Sequence, residues 1–364
     1  MKKIYTAILA IAAIAMASTQ NLSACTGITL RTKGGDVVAA RTIEWAASDM
    51  NALYVVVPRG HVWQSLVPDG ANGMRFTAEY GYVGLAVEQP EFITEGLNEA
   101  GLSAGLFYFP DYGKYQDYDR AEAYKSVADL QLVSYILGSC ANVDDVKRAI
   151  GNIRVHALDP RASTVHWRFT EPSGRQIVLE IIDGKCVFYE NELGVLTNSP
   201  SLDWHLANLN NYVNLNPGKV ASNRIGRMEL SAFSGGTGLR GLPGDFTSPS
   251  RFVRAAFFQS SAPVKEKVGD TVAQAFHILN NFDIPVGSQY SQNETPADIP
   301  SATQFTAASD LSGLKLYYRT MHNSSIRCID LSKINFAKAR FLSRPLDGKM
   351  QENIVMVNPQ LAPV

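Results

Sequence analysis

Leu22-Ser23-Ala24-Cys25-Thr26-Gly27-Ile28-Thr29-Leu30 is the stretch that decides the fold, because a leader ends there and strand-forming sequence begins at a cysteine. We predict that Cys25 becomes the first residue of the mature protein. A cysteine at a free N-terminus carries a nucleophilic thiol and also an α-amine, whose ordinary pKa of about 7.7–8.0 suits it to accept the thiol proton. The alternative is that Cys25 is a small buried residue at the start of a strand.

The residues before Cys25 have the pattern of a secretory signal peptide. Met1-Lys2-Lys3 is basic, and residues 4–17 form an apolar run that is too short for a membrane span of the mature protein. A small-x-small cleavage site at Ala15-Met16-Ala17 would leave residues 18–24 as a short pro-segment. We therefore expect residues 1–24 to be removed, residues 25–364 to form a single catalytic domain, and the protein to be secreted or periplasmic in a bacterium.

A second interpretation of the same stretch is a lipoprotein signal. Leu22-Ser23-Ala24-Cys25 resembles a bacterial lipobox, in which Cys25 would be lipidated and its amine blocked. A lipobox normally closes the apolar run, whereas here the polar residues 18–21 intervene, which favours the first interpretation. The two hypotheses predict different proteins, an N-terminal cysteine enzyme or a lipid-anchored binding or scaffold protein.

The composition permits a large core and argues against several classes of partner. Hydrophobic residues make up 46% of the chain and charged residues 18%, with a formal net charge of −1 and no basic block that would favour nucleic acid. No apolar stretch after the leader is long enough for a stable membrane span. The six histidines are scattered, so neither a metal site nor a cofactor is predicted. Besides Cys25 the cysteines are Cys140, Cys186 and Cys328, which allow at most one disulfide.

The order of strand and helix patterns predicts an α+β protein. Residues 26–32 and 36–43 alternate and are rich in β-branched residues around Lys33-Gly34-Gly35, which indicates a hairpin that brings Arg41 and Glu44 near the start of its first strand. Runs of strands are separated by runs of helices rather than alternating with them. Further strands are expected at 53–57, 82–88, 92–98, 102–108, 164–169, 176–182, 186–189, 194–197, 304–308, 315–319 and 326–330. Helices are expected at 123–137, 142–150, 202–212, 250–258 and 270–280.

Five motifs, taken together, resemble the choloylglycine hydrolase family, N-terminal-nucleophile amidases that include bile salt hydrolases and penicillin V acylases. The resemblance runs from Cys25 to about Asp330 and implies a four-layer αββα sandwich with Cys25 as the nucleophile. The motifs are Cys25-Thr26-Gly27, Arg41-Thr42-Ile43-Glu44-Trp45, Gly96-Leu97-Asn98-Glu99-Ala100-Gly101-Leu102, Leu196-Thr197-Asn198-Ser199-Pro200, and Gly241-Leu242-Pro243-Gly244-Asp245 followed by Ser250-Arg251-Phe252-Val253-Arg254.

The resemblance gives three charged residues a catalytic role. It places Arg41 beside the thiol, where a guanidinium charge favours the thiolate. Glu44 stands where the family usually has Asp to hold the nucleophile's amine, so the charge is kept on a longer side chain. Arg251 completes the charged network, whereas Arg254, three residues further on, is expected on the surface or in an ion pair.

The same resemblance makes Asn198 an amide donor to the tetrahedral oxyanion and the backbone N–H of Tyr108 a second donor. Tyr108 stands where bile-salt members usually carry Asn and some penicillin acylases carry Tyr. Trp45, Phe107 and Phe109 are candidates for the walls of an acyl pocket, or equally for core residues.

The resemblance thus implies an amidase that hydrolyses glycine- or taurine-conjugated bile salts without a cofactor. Penicillin V is the alternative substrate, because both compounds present an amide to the same thiol. It also implies a homo-oligomer such as a tetramer.

Overall fold

The computed structural model describes residues 24–45, 50–68, 72–158, 163–289 and 302–359, and the elements below lie within them. The helices are α1 (Leu132–Ser139), α2 (Val143–Gly151), α3 (Leu202–Asn208), α4 (Ser248–Ser261) and α5 (Val268–Leu279). None of the helices in these ranges is both long enough and apolar enough to cross a bilayer.

Nineteen strands lie in the described ranges, and they form two large sheets and three small two-stranded pairings. The strands are β1 (Ala24–Arg31), β2 (Val37–Trp45), β3 (Leu53–Val57), β4 (Val62–Leu66), β5 (Asn72–Thr77), β6 (Tyr82–Ala86), β7 (Ile93–Asn98), β8 (Ser103–Tyr108), β9 (Ser126–Ala128), β10 (Arg154–His156), β11 (Val165–Thr170), β12 (Gln176–Ile182), β13 (Lys185–Glu190), β14 (Asn223–Ile225), β15 (Met228–Leu230), β16 (Ala302–Asp310), β17 (Lys315–Thr320), β18 (Asn323–Asp330) and β19 (Leu342–Pro345).

The two large sheets form the middle layers of the molecule. One has five antiparallel strands in the order β1-β2-β16-β17-β18, and the other has eight in the order β13-β12-β11-β8-β7-β6-β3-β19. A core that includes Ile28 and Val38 of the first sheet and Val83 and Val178 of the second lies between them. Helices α4 and α5 contact β1, β2 and β16, and α1 and α2 contact β7, β8 and β11. The predicted α+β fold, a four-layer αββα sandwich, is confirmed.

The predicted first hairpin is present, and its register positions the site. Gly35 closes the turn with a φ of 95°, a conformation that glycine adopts without a Cβ clash. Cys25 then lies opposite Ile43, while Glu44 lies opposite Ala24. Strand β2 is buried from Val37 through Glu44 because the second sheet covers one of its faces and the helices cover the other.

The prediction of a helix at residues 123–137 is mostly wrong. Residues 120–125 form a 3₁₀ turn, β9 pairs in parallel with β10, and α1 begins only at Leu132. The side-chain oxygen of Gln131 accepts hydrogen bonds from the Leu66 N–H and the Ser65 hydroxyl, so contacts with a distant segment replace helical ones. The strand expected at 194–197 is reduced to one bridge between Gly27 and Leu196.

Close packing of α1 on β7 gives a first prediction. A Cβ on Gly96 would lie 2.5 Å from Cδ1 of Leu137 and 2.9 Å from the carbonyl oxygen of Val83. Gly96→Ala is therefore expected to lower the free energy of unfolding by about 1–3 kcal/mol, measured by urea denaturation. Gly269→Ala on α5 is the control, because no atom lies within 4 Å of its added Cβ. Equal stability of Gly96→Ala and wild type would contradict the packing described.

Candidate active site

Cys25 is held by hydrogen bonds on both sides of its main chain. Its backbone N–H donates to Oδ1 of Asn198 at 2.8 Å. Its carbonyl oxygen accepts from Nη1 of Arg251, which also donates to the Thr26 hydroxyl at 2.9 Å. The residue itself is 3% exposed, so these contacts fix it inside the molecule.

Asn198 connects Cys25 to two further segments. Its Oδ1 also accepts from Nη2 of Arg251 at 2.7 Å, and its Nδ2 donates to the carbonyl oxygen of Tyr108 at 2.7 Å. A primary amide has two N–H donors. The hydrogen bond to Tyr108 uses one of them.

Tyr108, the last residue of β8, brings its main chain to the thiol. A hydrogen bond from the Tyr108 backbone lowers the pKa of the Cys25 thiol, which places a main-chain donor at the sulfur. This contact does not depend on the Tyr108 side chain. The chain thus brings the two expected oxyanion donors, the Asn198 amide and the Tyr108 N–H, to the same thiol.

Arg41 is completely buried and is held by main-chain carbonyls. It donates from Nε to Thr42 at 3.1 Å and from Nη1 to Thr94 at 3.0 Å and to Leu106. Its Nη2 has no hydrogen-bond partner among the described residues. The charge of Arg41 is the strongest influence that lowers the pKa of the Cys25 thiol.

A buried charge cluster lies behind Arg41, and no sequence motif indicated it. Both carboxylate oxygens of Glu95 lie 3.3 Å from Nη2 of Arg168, and one lies 3.9 Å from Nη1 of Arg41. The Ser103 hydroxyl donates to the same carboxylate at 3.0 Å. The centre of the Phe107 ring lies 4.0 Å from the Arg41 guanidinium and 5.4 Å from that of Arg168, so the ring makes a cation–π interaction with both.

Burial dominates the protonation of Cys25 while Ala24 remains attached. Burial raises the pKa of the Cys25 thiol, and this effect outweighs the opposing influence of Arg41, Tyr108 and Arg251. Ala24 is itself only 3% exposed and continues β1 beyond the thiol. The form with Ala24 attached is therefore a covered, protonated thiol, not a reactive one.

Glu44 lies where an α-amine on Cys25 would appear. It is 1% exposed and opposite Ala24, and its Oε1 accepts from the Thr303 hydroxyl at 3.3 Å. Its Oε2 has no hydrogen-bond partner among the described residues. Burial raises the pKa of Glu44 to about 7, although the charge of Arg251 opposes this rise. The site thus holds a carboxyl group that lacks a cationic hydrogen-bond partner.

Two arginines of α4 hold the loop before that helix. Arg251 donates from Nε to the carbonyl oxygen of Phe246 at 2.8 Å. Arg254, expected on the surface or in an ion pair, is instead 6% exposed and donates to the carbonyl oxygens of Pro243 and Asp245 at 2.8 and 2.6 Å. Both side chains therefore satisfy main-chain acceptors of a loop that would otherwise be unpaired.

The aromatic residues proposed as pocket walls belong mainly to the core. Phe107 and Phe109 are completely buried, and Phe109 stacks on His166 with ring centroids 4.4 Å apart. Trp45 is partly buried against the core between the sheets. The sequence analysis also missed His166 and His205, which lie beside the Asn198 loop and carry no motif of their own. The structure gathers all the expected site residues, namely Cys25, Arg41, Glu44, Tyr108, Asn198 and Arg251.

Known proteins are similar to this chain in sequence and in architecture. A family model described as linear amide C–N hydrolases, choloylglycine hydrolase family, matches residues 25–355. A bile salt hydrolase/transferase of Clostridium perfringens is 33% identical over 317 residues, which is 85% of this chain and 93% of that protein. A penicillin V acylase of Pectobacterium atrosepticum is 26% identical, over 87% of this chain and 83% of that protein.

Solved structures of proteins with related names have a similar fold. A mutant of the conjugated bile acid hydrolase from Clostridium perfringens has a TM-score of 0.79 at 30% identity, and the match covers 92% of this chain and all of that one. Penicillin V acylase from Agrobacterium tumefaciens has a TM-score of 0.71 at 24% identity, over 90% and 93% of the two chains, which shows a shared fold.

These comparisons correct one prediction. The secreted or periplasmic location expected from residues 1–24 is wrong, because the match to the bile salt hydrolases contradicts it. The family match starts only at Cys25, and a basic start before an apolar run is not by itself evidence of a signal peptide. The expected signal peptide and pro-segment fall in residues 1–24, of which 1–23 lie outside the described residues.

The buried Glu44 carboxyl predicts a pH dependence of stability. Its pKa is raised from 4.5 to about 7, so its favourable contribution is complete below pH 4.5 and is lost as the pH rises through 7. In the intact chain, Glu44→Gln should remove this loss and gain up to about 3 kcal/mol relative to wild type between pH 4.5 and 8, measured by urea denaturation. Glu192→Gln, at an exposed position, is the control and should follow wild type. A constant difference between Glu44→Gln and wild type across this range would refute the assignment.

Proposed function

Because the chain belongs to the choloylglycine hydrolase family of linear amide C–N hydrolases, we propose that it is an amidase whose nucleophile is the N-terminal Cys25. The observation that supports this most directly is the convergence of Arg41, Asn198, Arg251 and the Tyr108 backbone on one thiol at the start of β1. No cofactor is required, since thiol, base and oxyanion donors all come from the chain.

Removal of residues 1–24 would activate the site in two ways. It would take away Ala24, the buried strand residue that precedes the thiol, and it would convert the Cys25 peptide N–H into an α-amine. That amine would keep its hydrogen bond to Oδ1 of Asn198, and Glu44 could then supply the carboxylate that holds it. A hydrogen-bonded amine beside the thiol is the general base that the reaction needs.

Hydrolysis would then proceed in two steps. The amine takes the thiol proton as sulfur attacks the amide carbon, and the second N–H of Asn198 and the Tyr108 N–H stabilise the oxyanion. The amine passes the proton to the leaving nitrogen, the C–N bond breaks, and a thioester remains on Cys25. Water deprotonated by the same amine then attacks the thioester, which releases the acid and restores the thiol.

Arg41 and Arg251 would contribute fixed positive charge rather than proton transfer. Both are buried, and both lower the pKa of the Cys25 thiol. Because an arginine side chain does not deprotonate in proteins, its charge favours the thiolate throughout the cycle.

The substrate we propose is a bile salt conjugated to glycine or taurine, with penicillin V as the alternative. Several relatives are named bile salt hydrolases or conjugated bile acid hydrolases, and one is named a penicillin V acylase. Tyr108 favours the alternative, because a phenol beside the thiol would narrow the pocket and stack on a phenoxy ring. The greater identity to the bile salt enzymes outweighs this single position.

A lipid-anchored scaffold remains the contrasting hypothesis, in which Cys25 has no catalytic role. It gives no role to the buried cations around the thiol, which is why we favour the enzyme.

We further propose that the protein is a homo-oligomer, such as a tetramer. The support is the segment 213–233, which contains the β14–β15 hairpin and carries the exposed apolar side chains of Val213, Ile225, Met228 and Phe233.

The nucleophile is tested by substitution. Cys25→Ala should lower turnover of glycocholate below detection and leave the protein folded, because only one buried sulfur atom is removed and its loss costs about 1 kcal/mol of packing. Cys186→Ala, at an exposed position of β13, should retain wild-type turnover. Turnover of Cys25→Ala within tenfold of wild type would refute the assignment.

Substrate class is tested on one preparation. We expect kcat/KM for taurocholate or glycocholate to exceed that for penicillin V. All three substrates present an amide to the same thiol, so only their fit to the acyl pocket distinguishes them. A tenfold preference for penicillin V would overturn the bile-salt proposal, and Tyr108→Asn should then shift the ratio back toward bile salts.

A further inference from the structure

We propose that His166 and Glu180 are positioning residues that clamp both ends of the loop carrying Asn198. This inference rests on the proposed role of Asn198 as an oxyanion donor, and it names the device that keeps that donor in place.

The loop needs such a device because regular pairing stops just before Asn198. Leu196 exchanges two hydrogen bonds with Gly27 of β1, at 2.7 and 3.1 Å, and these are the last strand-like contacts of the segment. Helix α3 begins only at Leu202. The five residues between are held by side chains, among them that of Ser248, whose hydroxyl oxygen accepts from the Asn198 N–H at 2.9 Å.

The His166–Glu180 pair meets this loop at its two ends. Nε2 of His166 lies 3.1 Å from the carbonyl oxygen of Thr197, immediately before Asn198. Oε1 of Glu180 accepts from the backbone N–H of Leu202 at 2.9 Å, at the start of α3. The two side chains contact each other, with Nδ1 of His166 3.3 Å from the same Oε1. One bonded pair thus spans the loop from Thr197 to Leu202.

The contacts of His166 fix the orientation of its ring. A carbonyl oxygen only accepts a hydrogen bond, so Nε2 of His166 is the donor to Thr197. Nδ1 then faces Oε1 of Glu180, and both side chains are completely buried.

The surroundings of His166 keep it rigid. Its ring is completely buried and stacks on Phe109 at an interplanar angle of 11°, and the Phe107 ring meets it at 85°. His166 lies on β11 and Glu180 on the adjacent strand β12, and both strands belong to the eight-stranded sheet. A donor on such a scaffold fixes the Thr197 carbonyl more precisely than a loop residue could.

His205, on helix α3, provides a contrast. Its Nε2 donates to the carbonyl oxygen of Asn198 at 2.9 Å, and it stacks on Phe252. Its Nδ1 has no partner among the described residues, and burial lowers the pKa of His205 to about 4. The neutral His205 contacts the loop only at Asn198 among the bonds described, and its Nε2 also lies 3.4 Å from the Ser248 hydroxyl, whereas His166 and Glu180 link the two loop ends to each other.

The expected effect of breaking the clamp is on the transition state. Losing an oxyanion donor outright costs about 10²–10³ in kcat, and a shift of a donor by about 1 Å can cost about 10². Glu180→Met and His166→Leu, which remove the acceptor at Leu202 and the donor at Thr197, should each lower kcat by about 10- to 100-fold, with KM within twofold of wild type.

The experiment measures two rates on each purified variant, glycocholate turnover and alkylation of Cys25 by iodoacetamide. Alkylation forms no oxyanion, so it reports the thiol alone and should stay at the wild-type rate. His277→Leu, at an exposed position of α5, is the matched control and should change neither rate. Melting temperatures show that each variant is folded; if His166→Leu fails to fold, Glu180→Met, which keeps the side-chain length but has no acceptor oxygen, carries the test.

The outcomes separate this inference from the proposed function when Asn198→Ala is measured alongside. Wild-type kcat in Asn198→Ala overturns the oxyanion role itself. A lost kcat in Asn198→Ala with wild-type kcat in the folded clamp variants overturns the clamp alone. Parallel loss of turnover and alkylation, or an effect on KM alone, also overturns it.

Discussion

The hydrogen bond from the Cys25 N–H to Oδ1 of Asn198 is the contact on which the arrangement of the site depends. It joins residues 173 positions apart, and the same amide also binds Arg251 of α4 and the carbonyl oxygen of Tyr108 on β8. A single side chain therefore ties together both sheets and the helical layer at the thiol. The site can form only when all these layers are in register.

Burial of charge is the second constraint, and it shapes the chemistry. Arg41, Arg168 and Arg251 are nearly or completely buried, as are the carboxyl groups of Glu44 and Glu95. An unpaired charge in such surroundings is costly, so nearly every cation is held by main-chain carbonyls or by a carboxylate. The carboxyl group of Glu44 has no cationic hydrogen-bond partner, and its Oε2 has no partner among the described residues. An α-amine on Cys25 would complete this network, which is the physical basis of the activation that we propose.

Much of the fold could be predicted from sequence because its signals are local. The Lys33-Gly34-Gly35 turn and the β-branched runs around it defined the first hairpin, and its register brought Arg41 and Glu44 to Cys25. The helix expected at 123–137 failed where Gln131 binds a distant strand, a contact without local periodicity. The Glu95–Arg168 and His166–Glu180 pairs were missed for the same reason, since each joins strands whose pairing the sequence alone does not show. The secreted or periplasmic location predicted from the N-terminal pattern was wrong.

The most direct test of the account is to quench the enzyme during turnover of glycocholate and to map its N-terminal peptide by mass spectrometry. The account predicts a mature chain that begins at Cys25, with the cholyl group in thioester linkage to that cysteine and with a free α-amine. An acyl group on another residue, or a turnover-competent chain whose Cys25 amine is blocked by lipid or by residue 24, would contradict it.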